Sequence, residues 1–121
     1  MAKQDFQEIF TQLKRVLQEY EGELSVRTDH EDIYYLETES ASFRGKPLFF
    51  GSANIKKNYV SFYMMPVYVY PDLLDEVPDY LKKRMQGKSC FNFKELDEQT
   101  LADLRELTRK GFERYRQEGM L

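Results

Sequence analysis

Apolar side chains recur every three or four residues at both ends of the chain and every second residue in between. Near the start, Phe6, Ile9, Phe10, Leu13, Val16, Leu17 and Tyr20 fall on one stripe of an α-helix, because successive turns bring positions three and four apart to the same side. Asp5 followed by Glu8 fits a capping box, in which each side chain satisfies an amide that a helix start leaves free. Gly22 is placed to end this helix in the left-handed conformation a C-terminal cap favours. Near the end, Leu101, Leu104, Leu107, Phe112 and Tyr115 form a second stripe. Asp97 is its N-cap, and Leu96 and Leu101 are spaced as a hydrophobic staple. Gly111 interrupts that stripe at a cost of about 1 kcal/mol relative to alanine, so it is expected to permit close packing against a neighbour.

Between the helices the period changes to two. Leu24 and Val26 alternate with polar neighbours, and 33–38 is rich in β-formers. Two further strands are expected, 47–55 and 59–65, joined by a Lys56-Lys57-Asn58 turn. Pro66 and Pro71 confine the region after Met65 to a sheet edge or a loop, since proline has no amide to give a ladder. Residues 72–77 and 78–85 read as short helical turns, and 89–94 as a last short strand. The expected fold is α+β: an antiparallel sheet of about five strands, with the N- and C-terminal helices on one face, as a single domain over 1–121. The strand 59–65 has two apolar faces, with Val60, Phe62 and Met64 on one and Tyr59, Tyr63 and Met65 on the other. An antiparallel sheet normally wets one face. The second face is therefore expected to be partly covered by the short helices around 73–81, or else to be a binding or dimer surface.

Composition agrees with a folded domain: 41% of residues are hydrophobic and 32% charged. Apolar runs are broken by Gly51, Asn54, Ser61 and Pro66, well short of the roughly 20 residues that span a bilayer. The start, MAKQDFQEIF, lacks the apolar stretch of a signal peptide. With the single cysteine, Cys90, these features lead to the expectation of a cytoplasmic chain in a reducing compartment. Charge is uneven: residues 1–44 carry five basic and ten acidic side chains, residues 45–70 three lysines and no acid, residues 71–121 ten basic and eleven acidic. That is not the basic excess of a nucleic-acid-binding domain.

Chemistry-bearing groups are sparse. Structural zinc takes four Cys or His ligands, and the chain has only Cys90 and His30. The densest acidic group, Asp29, Glu31 and Asp32 with Glu21 and Glu23, reads as a solvated turn. Cys90 lies on an expected strand, where a small buried thiol is the ordinary case, and His30 is the sole histidine available as a base. No nucleophile elbow, P-loop or dinucleotide-binding glycine pattern occurs. Glu106 and Lys110 are spaced as a helical ion pair, and Glu37 and Glu39 share a strand face.

The lysines remain. Lys46 and Lys57 bracket a strand some 30 Å long, so they cannot hold one small anion. Lys46 is expected instead near the far end of the next strand. There it would meet a second basic cluster, Lys82, Lys83, Arg84 and Lys88, around the Gly87 turn. Together with Tyr63, Tyr68 and Ser89 they would make a cationic, aromatic-lined cleft. The competing reading is that these lysines keep sheet edges soluble. The candidate ligand-binding residues are thus Lys46, Tyr63, Tyr68, Arg84, Lys88 and Ser89, with no catalytic and no metal-binding residue assigned.

The segments GKPLFF (45–50), KNYVSFY (57–63), LKKRMQGKSCFNF (81–93) and DEQTLADLRELTRKGF (97–112) resemble the YdhG-like family of small bacterial domains of unknown function. The resemblance covers most of 43–116. Before residue 43 the chain departs from the family, with VRTDHEDIYYLETES where common members carry a Ser-Tyr-x-Met-Pro-like segment. The resemblance implies helices against an antiparallel sheet, and it implies iron as a cargo, because some members are described as frataxin-like iron chaperones. Iron binding in frataxins relies on an acidic ridge along the first helix and strand; here Asp5, Glu8, Glu19 and Glu21 are interrupted by Lys3, Lys14 and Arg15. The resulting expectation is a non-enzymatic binding domain for a small anionic or aromatic ligand or a protein partner. The alternatives are an intracellular iron chaperone and a homodimeric interaction module. Neither nucleic acid nor membrane is an expected partner.

Overall fold

The computed structural model describes residues 5–38 and 47–120. Helix α1 (Phe6–Gln18) leads into strands β1 (Ser25–Asp29), β2 (Ile33–Glu37), β3 (Phe49–Ile55) and β4 (Val60–Met64). A short helix α2 (Met65–Val69), a 3-10 turn (Pro71–Leu74) and a one-turn helix α3 (Asp79–Lys82) come next. Strands β5 (Met85–Gln86) and β6 (Cys90–Phe93) and the long helix α4 (Glu98–Gln117) complete the chain. The strands make one antiparallel sheet in the order β1-β2-β3-β4-β6-β5. The fold is α+β, with the long helices on a single face.

The period-two pattern explains which face that is. Tyr34, Ala53, Phe62 and Phe91 lie opposite one another across β2, β3, β4 and β6. All four are fully buried, beneath Ile9, Leu13, Val16 and Leu17 of α1 and Leu104, Leu107, Phe112 and Tyr115 of α4. Each large side chain so removed from water contributes about 1.5–3 kcal/mol. An aromatic knot closes the sheet end near β3: Phe50 meets Phe112 and Tyr115 edge-on at centroid distances of 6.1 and 5.7 Å, an arrangement that sets ring edges against ring faces. Phe50 reaches it because the β2–β3 ladder shifts register between Leu36 and Glu37.

Both long helices start as their sequences direct. The Asp5 carboxylate accepts from the Gln7 amide at 3.0 Å, and the Asp97 carboxylate from the Thr100 amide at 2.7 Å. Gly111 allows close packing: a Cβ there would lie 2.9 Å from Pro66 Cβ.

Several expectations are corrected. Gly22 is not a left-handed cap; α1 ends at Glu19, in helical conformation, whose amide donates to Leu17. The sheet has six strands because Met85–Gln86 pairs with β6 through a turn at Gly87 (φ 81°), although the sequence places Met85 at the end of a helical turn; two residues show no period. Met65 opens a helix rather than closing a strand, because Pro66 sits in the first helical turn, where its missing amide has no partner to lose. The short helices do not cover the second sheet face. They dock on α4, with Arg114 paired to Asp72 at 2.8 Å and stacked on Tyr70 at 4.5 Å, and Lys110 paired to Glu76 at 2.7 Å. Lys110 is therefore not the partner of Glu106, which binds Arg109 instead. Glu39 lies outside the described residues.

Candidate functional site: the helix-free face of the sheet

Residues opposite one another on antiparallel strands share a face, so the positions alternating with the core line the side away from the helices. One row there runs Tyr35, Ser52, Tyr63, Cys90 and Gln86; the next runs Ile33, Asn54, Ser61 and Asn92. Beyond it the Lys56 amide donates to the Tyr59 carbonyl at 2.8 Å and closes the β3–β4 hairpin. The two residues are thus the next cross-strand pair. At that end of the sheet Phe93 lies opposite Val60.

The middle of this face is neutral and hydrogen-bonded. Ser52, Asn54 and Ser61 are only 3, 8 and 1% exposed. Asn54 Nδ2 donates to Ser52 Oγ at 2.9 Å, and Ser61 Oγ donates to Asn92 Oδ1 at 2.7 Å. The Cys90 thiol makes a weaker contact to the same oxygen at 3.3 Å. Around these short side chains stand half-buried Tyr35, Tyr59 and Tyr63. Tyr35 stacks on Phe49 with centroids 4.6 Å apart, and the ion pair Arg27–Glu37 at 3.2 Å lies at the rim. Burial pushes the Cys90 thiol above its ordinary value of 9.0, against the opposing effects of hydrogen bonds to Ser61 and Tyr63 and the charge of Lys56. Burial likewise raises Tyr63. Both groups are thereby held toward their protonated forms, and the face presents half-buried rings beside largely buried polar groups that hydrogen-bond to one another.

The expected cleft residues separate into three places. Tyr63 and Ser89 come together, the Ser89 carbonyl accepting from the Met64 amide at 2.8 Å, with exposed Lys88 in the adjoining turn. Tyr68 is 55% exposed on α2. Arg84 lines a different groove of about 360 Å³, with Tyr80, Phe93, Leu96, Asp97 and Thr100 at the start of α4. Lys46 lies outside the described residues, so the expected meeting of Lys46 with the basic cluster does too. Sequence reasoning alone misses Ser52, Asn54, Ser61 and Asn92. Their signal is a set of short polar residues at alternate positions inside otherwise apolar strands, and the tyrosines beside them overshadow it.

Three of the five acidic residues at 21–32 are engaged in structural contacts. Glu21 accepts from the Tyr34 hydroxyl, Glu23 pairs with Arg116 at 3.4 Å and Asp29 with Lys14 at 2.7 Å. Among the described residues, no three or more His, Cys, Asp or Glu side chains are grouped so as to hold a metal ion. No described helix is long and apolar enough to cross a membrane. In comparisons with family models, curated proteins and solved structures, nothing matches the chain.

Proposed function

We infer that this chain is a non-enzymatic binding domain whose ligand docks on the helix-free sheet face, over Tyr59, Tyr63 and Asn92. One observation carries the reading. The side of an antiparallel sheet that carries no helix ordinarily bears charged side chains, whereas the two central rows here hold neutral, largely buried hydrogen-bonding groups flanked by half-buried rings. Small-ligand sites are built in this way, with ring and apolar surface for contact and a few fixed polar groups for orientation. Part of the expected cleft persists in the reading: Tyr63 and Ser89 belong to this face or its margin, and Lys88 to the turn beside it, while Arg84 serves another groove.

The test is a titration of the isotope-labelled chain with a panel of neutral aromatic fragments, read by amide chemical shifts. Shifts confined to β3, β4 and β6 are expected, and Tyr63→Ala weakens them. Shifts that map elsewhere, or none at all, reject this face. The homodimer reading is the same surface occupied by a second copy, and sedimentation velocity separates the two. The iron-chaperone reading and the YdhG-like relationship rest on the sequence motifs; anaerobic calorimetry with ferrous iron tests the former, and absence of saturable heat removes it.

A further inference from the structure

Thirteen consecutive residues, 68–80, include no buried side chain, whereas Val67 before them and Leu81 after them are buried in the core. Along this strap Tyr70, Leu73, Leu74 and Val77 pack against the core, all of them only half-buried. The strap's backbone hydrogen bonds are local: the Leu73 amide donates to Tyr70, Asp75 to Asp72, Val77 to Leu74, and Leu81 to Pro78. Among the described residues, no backbone hydrogen bond joins it to the sheet or to α4.

The polar side-chain contacts of the strap all go to one helix. Residues 68–80 hold four carboxylates, Asp72, Asp75, Glu76 and Asp79, and no basic side chain. Facing them on α4, Arg114 pairs with Asp72 at 2.8 Å and stacks on Tyr70, Lys110 pairs with Glu76 at 2.7 Å, and Asp103 accepts from the Tyr80 hydroxyl. Glu106 lies on the same seam and acts against Glu76, but Arg109 binds its carboxylate. The Asp72 and Glu76 side chains are 55 and 81% exposed, and salt screens pairs between exposed charges. The seam is also loosely filled. Grooves of about 50, 260 and 290 Å³ run along it, and Leu73 and Lys110 line all three. A region with few buried contacts opens at a lower free energy than the core.

We propose that 68–80 is an electrostatically latched strap, which lifts from α4 as one unit while the sheet and both long helices stay folded, and that ionic strength sets how often it does so. Val67 and Leu81 are its fixed ends. Opening uncovers Leu107, which lines the seam with Leu73 and Val77, together with Lys110 and Arg114. The closed strap thus occupies an apolar and cationic surface of α4 with an acidic segment of the same chain. This device lies on the helix side of the sheet and is independent of the binding face proposed above.

Native-state hydrogen exchange of the full chain, resolved by amide and repeated in low urea, tests it. The Leu73, Asp75 and Val77 amides are expected to share one protection factor, about tenfold or more below that of Leu104 and Leu107 on α4, with a weaker urea dependence. Raising the salt to about 1 M, where charges are screened within about 3 Å, should lower strap protection severalfold. Asp72→Asn/Glu76→Gln should lower it severalfold at low salt and abolish the salt effect. Asp29→Asn breaks the Lys14–Asp29 pair, which stays made when the strap opens, so strap protection should not change. Equal protection and urea dependence in strap and α4 would make them one cooperative unit and overturn the proposal. Separate values for the three strap amides, or exchange as fast as in an unfolded chain, would show fraying without a latch. Independent opening that neither salt nor the charge variant alters would overturn the electrostatic latch.

Discussion

An alanine at Gly51 would place its Cβ 2.9 Å from the Tyr63 carbonyl oxygen and 3.0 Å from Leu17 Cδ2. The first neighbour is backbone in a central strand and cannot yield without breaking the β3–β4 ladder. Gly51→Ala is therefore expected to lose about 2–3 kcal/mol, the upper part of the range for overpacked cores. At Gly111 the obstructing atoms are Pro66 Cβ and Cγ, at 2.9 and 3.1 Å, on a short helix that can shift. There alanine also gains about 1 kcal/mol of helix propensity, so the net loss should be about 1 kcal/mol. Urea unfolding of both variants checks the order, and a Gly111→Ala protein more stable than the parent would show that α2 does not press on α4. Tyr34 is buried with its hydroxyl donating to Glu21, and burial first, then that hydrogen bond, raises its pKa. Tyr34→Phe leaves the packing and removes the bond, for an expected loss of about 1–2 kcal/mol by the same measurement.

At the scale of elements, α4 is fastened to the segment after β4 by Arg114–Asp72 and Lys110–Glu76. Hydrogen bonds from these cations hold both carboxyls below their ordinary values, 3.8 for Asp72 and 4.5 for Glu76. A carboxyl depressed in the folded state stabilises fully above its unfolded pKa, and the contribution vanishes as pH falls through the folded one. Stability should hold from neutral pH down to about 5 and decline below it. Asp72→Asn with Glu76→Gln should start lower and decline less steeply; parallel curves in urea titrations at stepped pH would rule out these pairs as the source. Asp97→Ala, which removes the α4 cap, should lower the melting temperature by a few degrees. The two long helices are legible in the sequence because their stripes and caps are local signals. The segment 65–86 is not. Proline there signals a barrier to strand pairing, although it also begins a helix, and β5 is too short to show a period. Glu106 and Lys110 have ideal spacing, yet Lys110 reaches Glu76 across the fold, a choice that only tertiary geometry makes.

For the molecule as a whole, the edges of the sheet discourage assembly. At one side β5 is two residues long, and at the other β1 breaks its register between Val26 and Thr28; short and irregular edges resist pairing with a second sheet. A monomer is expected in sedimentation velocity, and a concentration-dependent dimer would point to the helix-free face as its contact. How far that face can be read from the sequence is decided by the same physics. Two-sidedness is visible in β4, because Tyr59 and Tyr63 alternate with Val60, Phe62 and Met64. Which neighbours complete it depends on strand order and register, which bring Asn54, Ser61 and Asn92 into one row across three strands. The stack of Tyr35 on Phe49 has a practical consequence. The chain contains no tryptophan, so Phe49→Trp would give it a sole indole, anchored on that surface by a ring partner while the Phe49 carbonyl accepts from Tyr115 at 2.9 Å. Its emission would watch one side of the sheet without background, turning the arrival of any occupant into a change of colour or brightness.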